Sequence, residues 1–223
     1  FDKLWLIKMV KPFMDKDIQV AFSKVSIDKK DFFWSNYLNT YTDPFNSFIF
    51  GNACHPDLFK KKYNLNYKGE NFYVYDYDYI NYPLIAFAQC TMVRNGLARE
   101  NIHDDIFDLI NYIKLNHKIA YVYNTSIYHH SLRDFKDFIK KFDFRIRISL
   151  EKNLFTERSK ISSISRKFKK YLFPIYAISP LPILKSFKEL IVNKNIYYIV
   201  HPLACITILI LIIKNLCQIK IKN

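Results

Sequence analysis

The chain predicts an α/β domain followed by a basic, apolar helical tail, and three observations carry that expectation. Residues 71–80, NFYVYDYDYI, alternate with period two, tyrosines on one face and Phe72, Val74, Asp76 and Asp78 on the other, as a strand does. Ile106, Leu109, Ile110 and Ile113 recur at i, i+3, i+4 and i+7, as on one face of a helix, and the strand-like Lys118–Val122 follows. Beyond residue 150 the texture changes to a polar, basic stretch and then to apolar segments interrupted by proline.

Taken in order, residues 3–10 predict a buried strand ended by Pro12, and residues 17–25 a second one. Lys29 to Leu38 predicts an aromatic-rich amphipathic helix that ends before the turn-like Thr42-Asp43-Pro44. Ser47–Phe50 is short and apolar. Residues 84–94 predict an apolar helix running into a strand closed by Gly96. The helix through Ile106–Ile113 carries Asp104 and Asp105 in its first turn, and Asn116 suits the left-handed position after its end. Residues 132–150 predict an amphipathic helix rich in Lys and Arg, giving a domain over 1–150 and a tail over 151–223. The tail segment 171–192 is broken by Pro174, Pro180 and Pro182. Residues 196–213 are free of formal charge, and as a helix of roughly 27 Å they are just long enough to cross a bilayer core.

Half of the 223 residues are hydrophobic, which supports a real core and excludes global disorder. The net charge of +14 is uneven: residues 151–195 alone contribute +7. Basic chains suit phosphate-bearing partners such as nucleic acid, nucleotide sugars and anionic lipid. Here the excess lies beside apolar, proline-broken segments, so a membrane surface accounts for it better than nucleic acid does. Four widely spaced cysteines give neither a zinc-ligand spacing nor a disulfide framework, and no signal peptide opens the chain. The chain opens on Phe1 in an apolar run, as though already inside a domain, and is expected to lack an N-terminal portion.

Chemistry concentrates between Ile102 and His130, where an acidic pair heads a helix and the pair His129-His130 follows the next strand. Two carboxylates and two imidazoles can handle protons, a metal, or both. Each has a plainer reading too: acids at a helix start complement its dipole, and histidines at a strand end are often polar surface. Asp76-Tyr77-Asp78 matches a metal-binding D-x-D triplet, but within a period-two strand the two acids simply share a face. No Gly-rich phosphate loop, G-x-S-x-G or H-E-x-x-H is present.

The segment from Ala88 to about Arg147 resembles the second half of the catalytic domain of glycosyltransferase family 2. The resemblance rests on a strand ending in a basic residue, Ala88–Arg94, then His103-Asp104-Asp105 and the helix Leu109–Leu115. Lys118-Ile119-Ala120-Tyr121-Val122, Tyr128-His129-His130 and the basic helix Leu132–Arg147 complete it. It implies part of a GT-A fold, a Rossmann-like mixed sheet flanked by helices, followed by membrane-associated amphipathic and apolar helices. By position it implies Asp105 as the general base on the acceptor hydroxyl and Asp104 as a residue shaping the acceptor site. Gln89, Thr91 and Arg94 become acceptor- or substrate-binding residues, and His129 a ligand of the Mg²⁺ or Mn²⁺ that holds the donor diphosphate. The implied partners are a nucleotide-sugar donor, a lipid-linked or cell-surface glycan acceptor and the inner leaflet of a membrane, with no nucleic acid. The implied location is the membrane, on its cytoplasmic face.

Two departures qualify the match. Asn111 stands where the family commonly has Arg, and no nucleotide-binding strand with D-x-D occurs a hundred residues before the acidic pair. The chain is therefore expected to be a fragment that holds the acceptor half of the site, inactive by itself. Two other readings remain open: a basic nucleic-acid-binding module and a non-catalytic membrane-associated protein.

Overall fold

The computed structural model describes residues 3–41, 43–51, 56–78, 90–95, 112–151 and 164–222. Among these residues it is a mixed α/β protein, with five strands forming one mixed sheet flanked by helices. The chain opens with α1 (Trp5–Val10) and a 3-10 turn (Lys11–Met14), followed by β1 (Ile18–Ser26). Helices α2 (Phe33–Tyr41) and α3 (Pro44–Phe50) come next, then a 3-10 turn (Pro56–Lys61). Strands β2 (Leu65–Lys68), β3 (Phe72–Tyr75), β4 (Thr91–Val93) and β5 (Lys118–Tyr128) complete the sheet. Helices α4 (Phe135–Glu151), α5 (Ile164–Ile178) and α6 (Leu181–Val192) lead to a 3-10 turn (Ile196–Val200) and α7 (His201–Lys222).

Across the sheet the order is β2-β3-β5-β1-β4. Only β1 and β5 run parallel, with Ile18 opposite Lys118 and Ser26 opposite Tyr128; the other neighbours are antiparallel. Residues 123–125 of β5 are extra in this pairing, since Ser23 pairs with Val122 and Lys24 with Ser126. One face of the sheet buries Ala21, Phe72, Val74, Ala120 and Val122 beneath Met9 of α1, with Trp5 and Phe13 against them. The opposite face carries an aromatic layer around the fully buried Phe59, whose ring lies 5.9–6.1 Å from those of Phe22, Tyr75, Tyr77 and Tyr121.

Residues 3–10 are largely helix, not the strand their apolar run suggested. An apolar run this short has no decisive period, and Leu, Met and Lys are strong helix formers. Trp5 and Met9, four apart, face the sheet, while Leu6 and Ile7 remain exposed. The strand expected over 71–80 stops at Tyr75, although its two faces are as anticipated: Phe72 and Val74 pack toward α1, and Tyr73 stacks on Tyr123 at 4.4 Å. Asp76 is held by the Asn66 amide at 2.7 Å, which ties the open end of the β2–β3 hairpin. Pro174 does not break its segment but lies inside α5, whereas Pro180 and Pro182 bracket the start of α6, where a missing N–H costs nothing.

The chain divides into two compact units, and the division departs from the break expected at residue 150. One unit comprises Phe1–Ile27 and Phe50–His129, and contains the sheet; the other comprises Asp28–Ile49 and His130–Asn223, and is helical. The physical reason lies in the aromatics of α2 and α3. Trp34, Tyr37, Phe45 and Phe48 pack with Phe138, Phe173 and Tyr198, so residues 28–49 join the C-terminal helices. Likewise α4 buries Phe138, Phe142 and Ile146 in that cluster, each worth about 1.5–3 kcal/mol. Among the described residues one helical stretch, Ile196–Ile219, is long and apolar enough to cross a membrane by length and composition, and 44% of its apolar window is buried inside the protein.

Candidate functional site

The sheet unit carries the described part of the sequence-derived site. Asp104, Asp105 and Gln89 lie outside the described residues. The end of the helix that follows the acidic pair is in place: residues 112–114 are helical and Asn116 adopts φ 57°. His117 N–H donates to the Tyr112 carbonyl and Asn116 N–H to that of Ile113, which is the paired bonding of a Schellman stop. The chain then enters β5 at Lys118, beside the start of β1.

Thr91 opens β4 opposite Phe22, and His129 is half-buried one residue past the end of β5. Arg94 lies elsewhere. Its main-chain N–H bonds Gln19, whereas Tyr128, next to His129, pairs with Ser26. The two are separated by most of the length of β1, about 20 Å at roughly 3.3 Å per residue. The Arg94 guanidinium is also committed: Nη2 donates to the carbonyls of Phe13 at 2.8 Å and Asp15 at 3.0 Å, and Nε to Ile18 at 3.2 Å. The structure therefore does not gather Arg94 and His129 into one cleft.

Among the described residues, no three His, Cys, Asp or Glu side chains gather into a set that could hold a metal ion. His130 meets a carboxylate: its Nδ1 stands 3.0 Å from Asp31 Oδ1, within the helical unit. Burial tends to raise the Asp31 pKa, but the Ser35 hydroxyl, His130 and the Phe32 N–H outweigh it, so the carboxyl is held below its ordinary value. With a lower pKa folded than unfolded, its contribution to stability is present above about pH 4 and is lost as the pH falls through the folded value. Asp31→Asn should flatten this acid limb: urea unfolding at pH 3 and pH 7 should differ less in the variant than in the wild type.

Sequence reading missed two polar groupings. On the aromatic face of the sheet, the Asp57 carboxylate accepts from Tyr121 Oη at 2.7 Å and meets Lys24 Nζ at 2.9 Å. Burial, and then the Asp57 charge, keep the Tyr121 phenol protonated far above its usual range. Period two along β5 was the available signal, since it sets Tyr121 on the face opposite Ala120 and Val122. In the helical unit, His201 lies fully buried between Tyr37 and Tyr176, with its ring stacked on Tyr198 at 4.4 Å. A histidine inside an apolar run was its only trace in the sequence.

These features define a mixed α/β protein with a parallel strand pair at its centre, a basic helical unit and an apolar last helix. No protein-family model matches the chain, and neither the curated proteins nor the solved structures contain a match to it.

Proposed function

We propose that the chain is part of an inverting, family 2-like glycosyltransferase with a GT-A fold. In the intact enzyme it would move a sugar from a nucleotide-sugar donor to a lipid-linked or cell-surface acceptor at the cytoplasmic face of a membrane. The observation that carries this reading is the parallel pairing of β5 with β1. In open α/β sheets, ligands bind beyond the carboxyl ends of parallel strands. The residue that follows β5 there is His129, and Thr91 lies on the half of β4 nearer that end.

In this reading Asp105 takes the proton from the acceptor hydroxyl as its oxygen attacks the anomeric carbon. The bond to the diphosphate breaks on the opposite face, and the nucleoside diphosphate leaves with that electron pair. Asp104 shapes the acceptor site. His129 would offer one imidazole to Mg²⁺ or Mn²⁺, although among the described residues no set of three metal-binding side chains forms around it. A bound divalent cation would neutralise charge on the leaving diphosphate. Arg94 serves the fold by holding the turn into β1, and substrate contacts fall to Gln89 and Thr91.

In the full-length protein, Asp105→Asn should reduce transfer by about 10²–10⁴-fold, the usual worth of a positioned base, with unchanged circular dichroism and thermal unfolding. Wild-type turnover by a folded Asp105→Asn protein would overturn the assignment.

A further inference from the structure

Helices α5, α6 and α7 pack against one another around an apolar core, yet their outward faces are largely apolar as well. On α6, the polar Ser186 and Glu189 are buried, while Leu184, Phe187 and Ile191 face outward, Ile191 being 73% exposed. On α7 the exposed residues Leu203, Ile206, Ile210 and Ile213 recur every three or four positions and form a single apolar stripe. Its inward side holds the more polar His201, Thr207 and Asn215. On α5, Tyr171, Ile175 and Ile178 are exposed as well. Apolar surface on this scale marks an interaction site.

Charge identifies what covers it. Residues 164–222 contain ten Lys and Arg and one acid, Glu189, which is only 8% exposed. Exposed apolar side chains accompanied by cations, with no exposed acid, complement an anionic lipid surface: acyl chains take the first and headgroup phosphates the second.

We infer that α5–α7 form an in-plane membrane module, in which α7 lies along the lipid interface and does not cross the bilayer. The inward face of α7 is occupied by α4. Asn215 Nδ2 donates to Asp143 Oδ1 at 2.8 Å, and Lys214 Nζ stands 3.0 Å from Asp143 Oδ2. Phe138, Phe142 and Ile146 of α4 join the same apolar cluster as Ala204, Ile208 and Leu211. Besides these contacts α4 carries Lys136, Lys140, Lys141, Arg145 and Arg147. Were α7 to span, α4 would have to enter the hydrocarbon with five cations or be stripped away, exposing Asn215 to lipid; both are strongly disfavoured. With α7 in the plane, α4 stays on the aqueous side and the 203–213 stripe enters the acyl boundary. This rests on the membrane-docking part of the proposed function and is independent of the sugar chemistry.

The test uses the full-length protein with Cys54 and Cys217 replaced by serine and one nitroxide label placed in turn at residues 203, 206, 210 and 213. Vesicles of phosphatidylcholine, with and without phosphatidylglycerol, are the probe. The protein should float with the anionic vesicles only and be released by high salt, and Lys169→Glu with Lys170→Glu should weaken binding by at least about tenfold. All four labels should report one shallow depth to oxygen and nickel quenchers. A depth that reaches the bilayer midplane and then falls toward the opposite leaflet would overturn the in-plane arrangement and leave membrane docking intact. A folded protein that fails to float, with its labels in water, would overturn both, and the Asp105→Asn transfer assay would still stand on its own result.

Discussion

Replacing His201 with alanine should cost the helical unit about 3–5 kcal/mol, the largest loss expected from any single substitution in that unit. The imidazole is fully buried, with Tyr37 Oη 2.8 Å from Nδ1 and Tyr176 Oη 2.9 Å from Nε2. A neutral ring has one N–H and one lone pair, so it donates to one phenol and accepts from the other. Alanine would leave both hydroxyls unpaired in an apolar interior and open a cavity beneath Tyr198, whose ring lies 4.4 Å from that of His201. His201→Phe separates the two costs, because it keeps the ring volume and the stacking and loses only the hydrogen bonds. Urea unfolding followed by far-UV circular dichroism should rank the wild type above His201→Phe and His201→Phe above His201→Ala. An alanine variant within about 0.5 kcal/mol of the wild type, the range of an ordinary surface change, would remove the network from the account of this unit.

The sheet unit has a comparable dependence on Arg94. Its guanidinium joins the carbonyls of Phe13, Asp15 and Ile18 and lies over the Phe13 ring at 5.4 Å. One planar fork thus fixes the 3-10 turn, the following bend and the first residue of β1. Arg94→Ala should destabilise the unit by about 2–4 kcal/mol, from lost charge-assisted bonds and half-buried carbonyls left without donors. Arg94→Lys should restore little, since an ammonium cannot span three carbonyls in one plane. Amide exchange supplies the local readout: protection should fall first at Ile18–Phe22, which a residue serving only substrate binding would not affect. Full stability in Arg94→Lys would show that the fork is dispensable and return Arg94 to the substrate site.

Much of this was legible in the sequence wherever a residue's pattern and its surroundings agreed. Period two placed the two faces of β3, and the apolar spacing with Asn116 located the helix end before β5 and its left-handed stop. The basic amphipathic helix appears as α4, three residues later at its start than expected. Residues 3–10 failed because an eight-residue apolar run has no period to separate strand from helix. Composition changes at 150, whereas the compact units divide elsewhere, because Tyr37 meets Tyr198 and His201, more than 150 residues away. Within the candidate site, the family resemblance grouped Arg94 with the acceptor residues. Strand direction then sent it to the opposite end of β1 from His129.

By itself, then, the sequence determined the element types over long periodic stretches, the uneven charge, and the presence of a last helix apolar enough for a membrane. Those properties are local sums over neighbouring residues. Tertiary structure alone decided which strands run parallel, which arginine is consumed in holding a turn, and which side of the apolar helix is buried. Each of these depends on pairs of residues far apart in the chain, and hydrogen bonds, close packing and burial are properties of pairs.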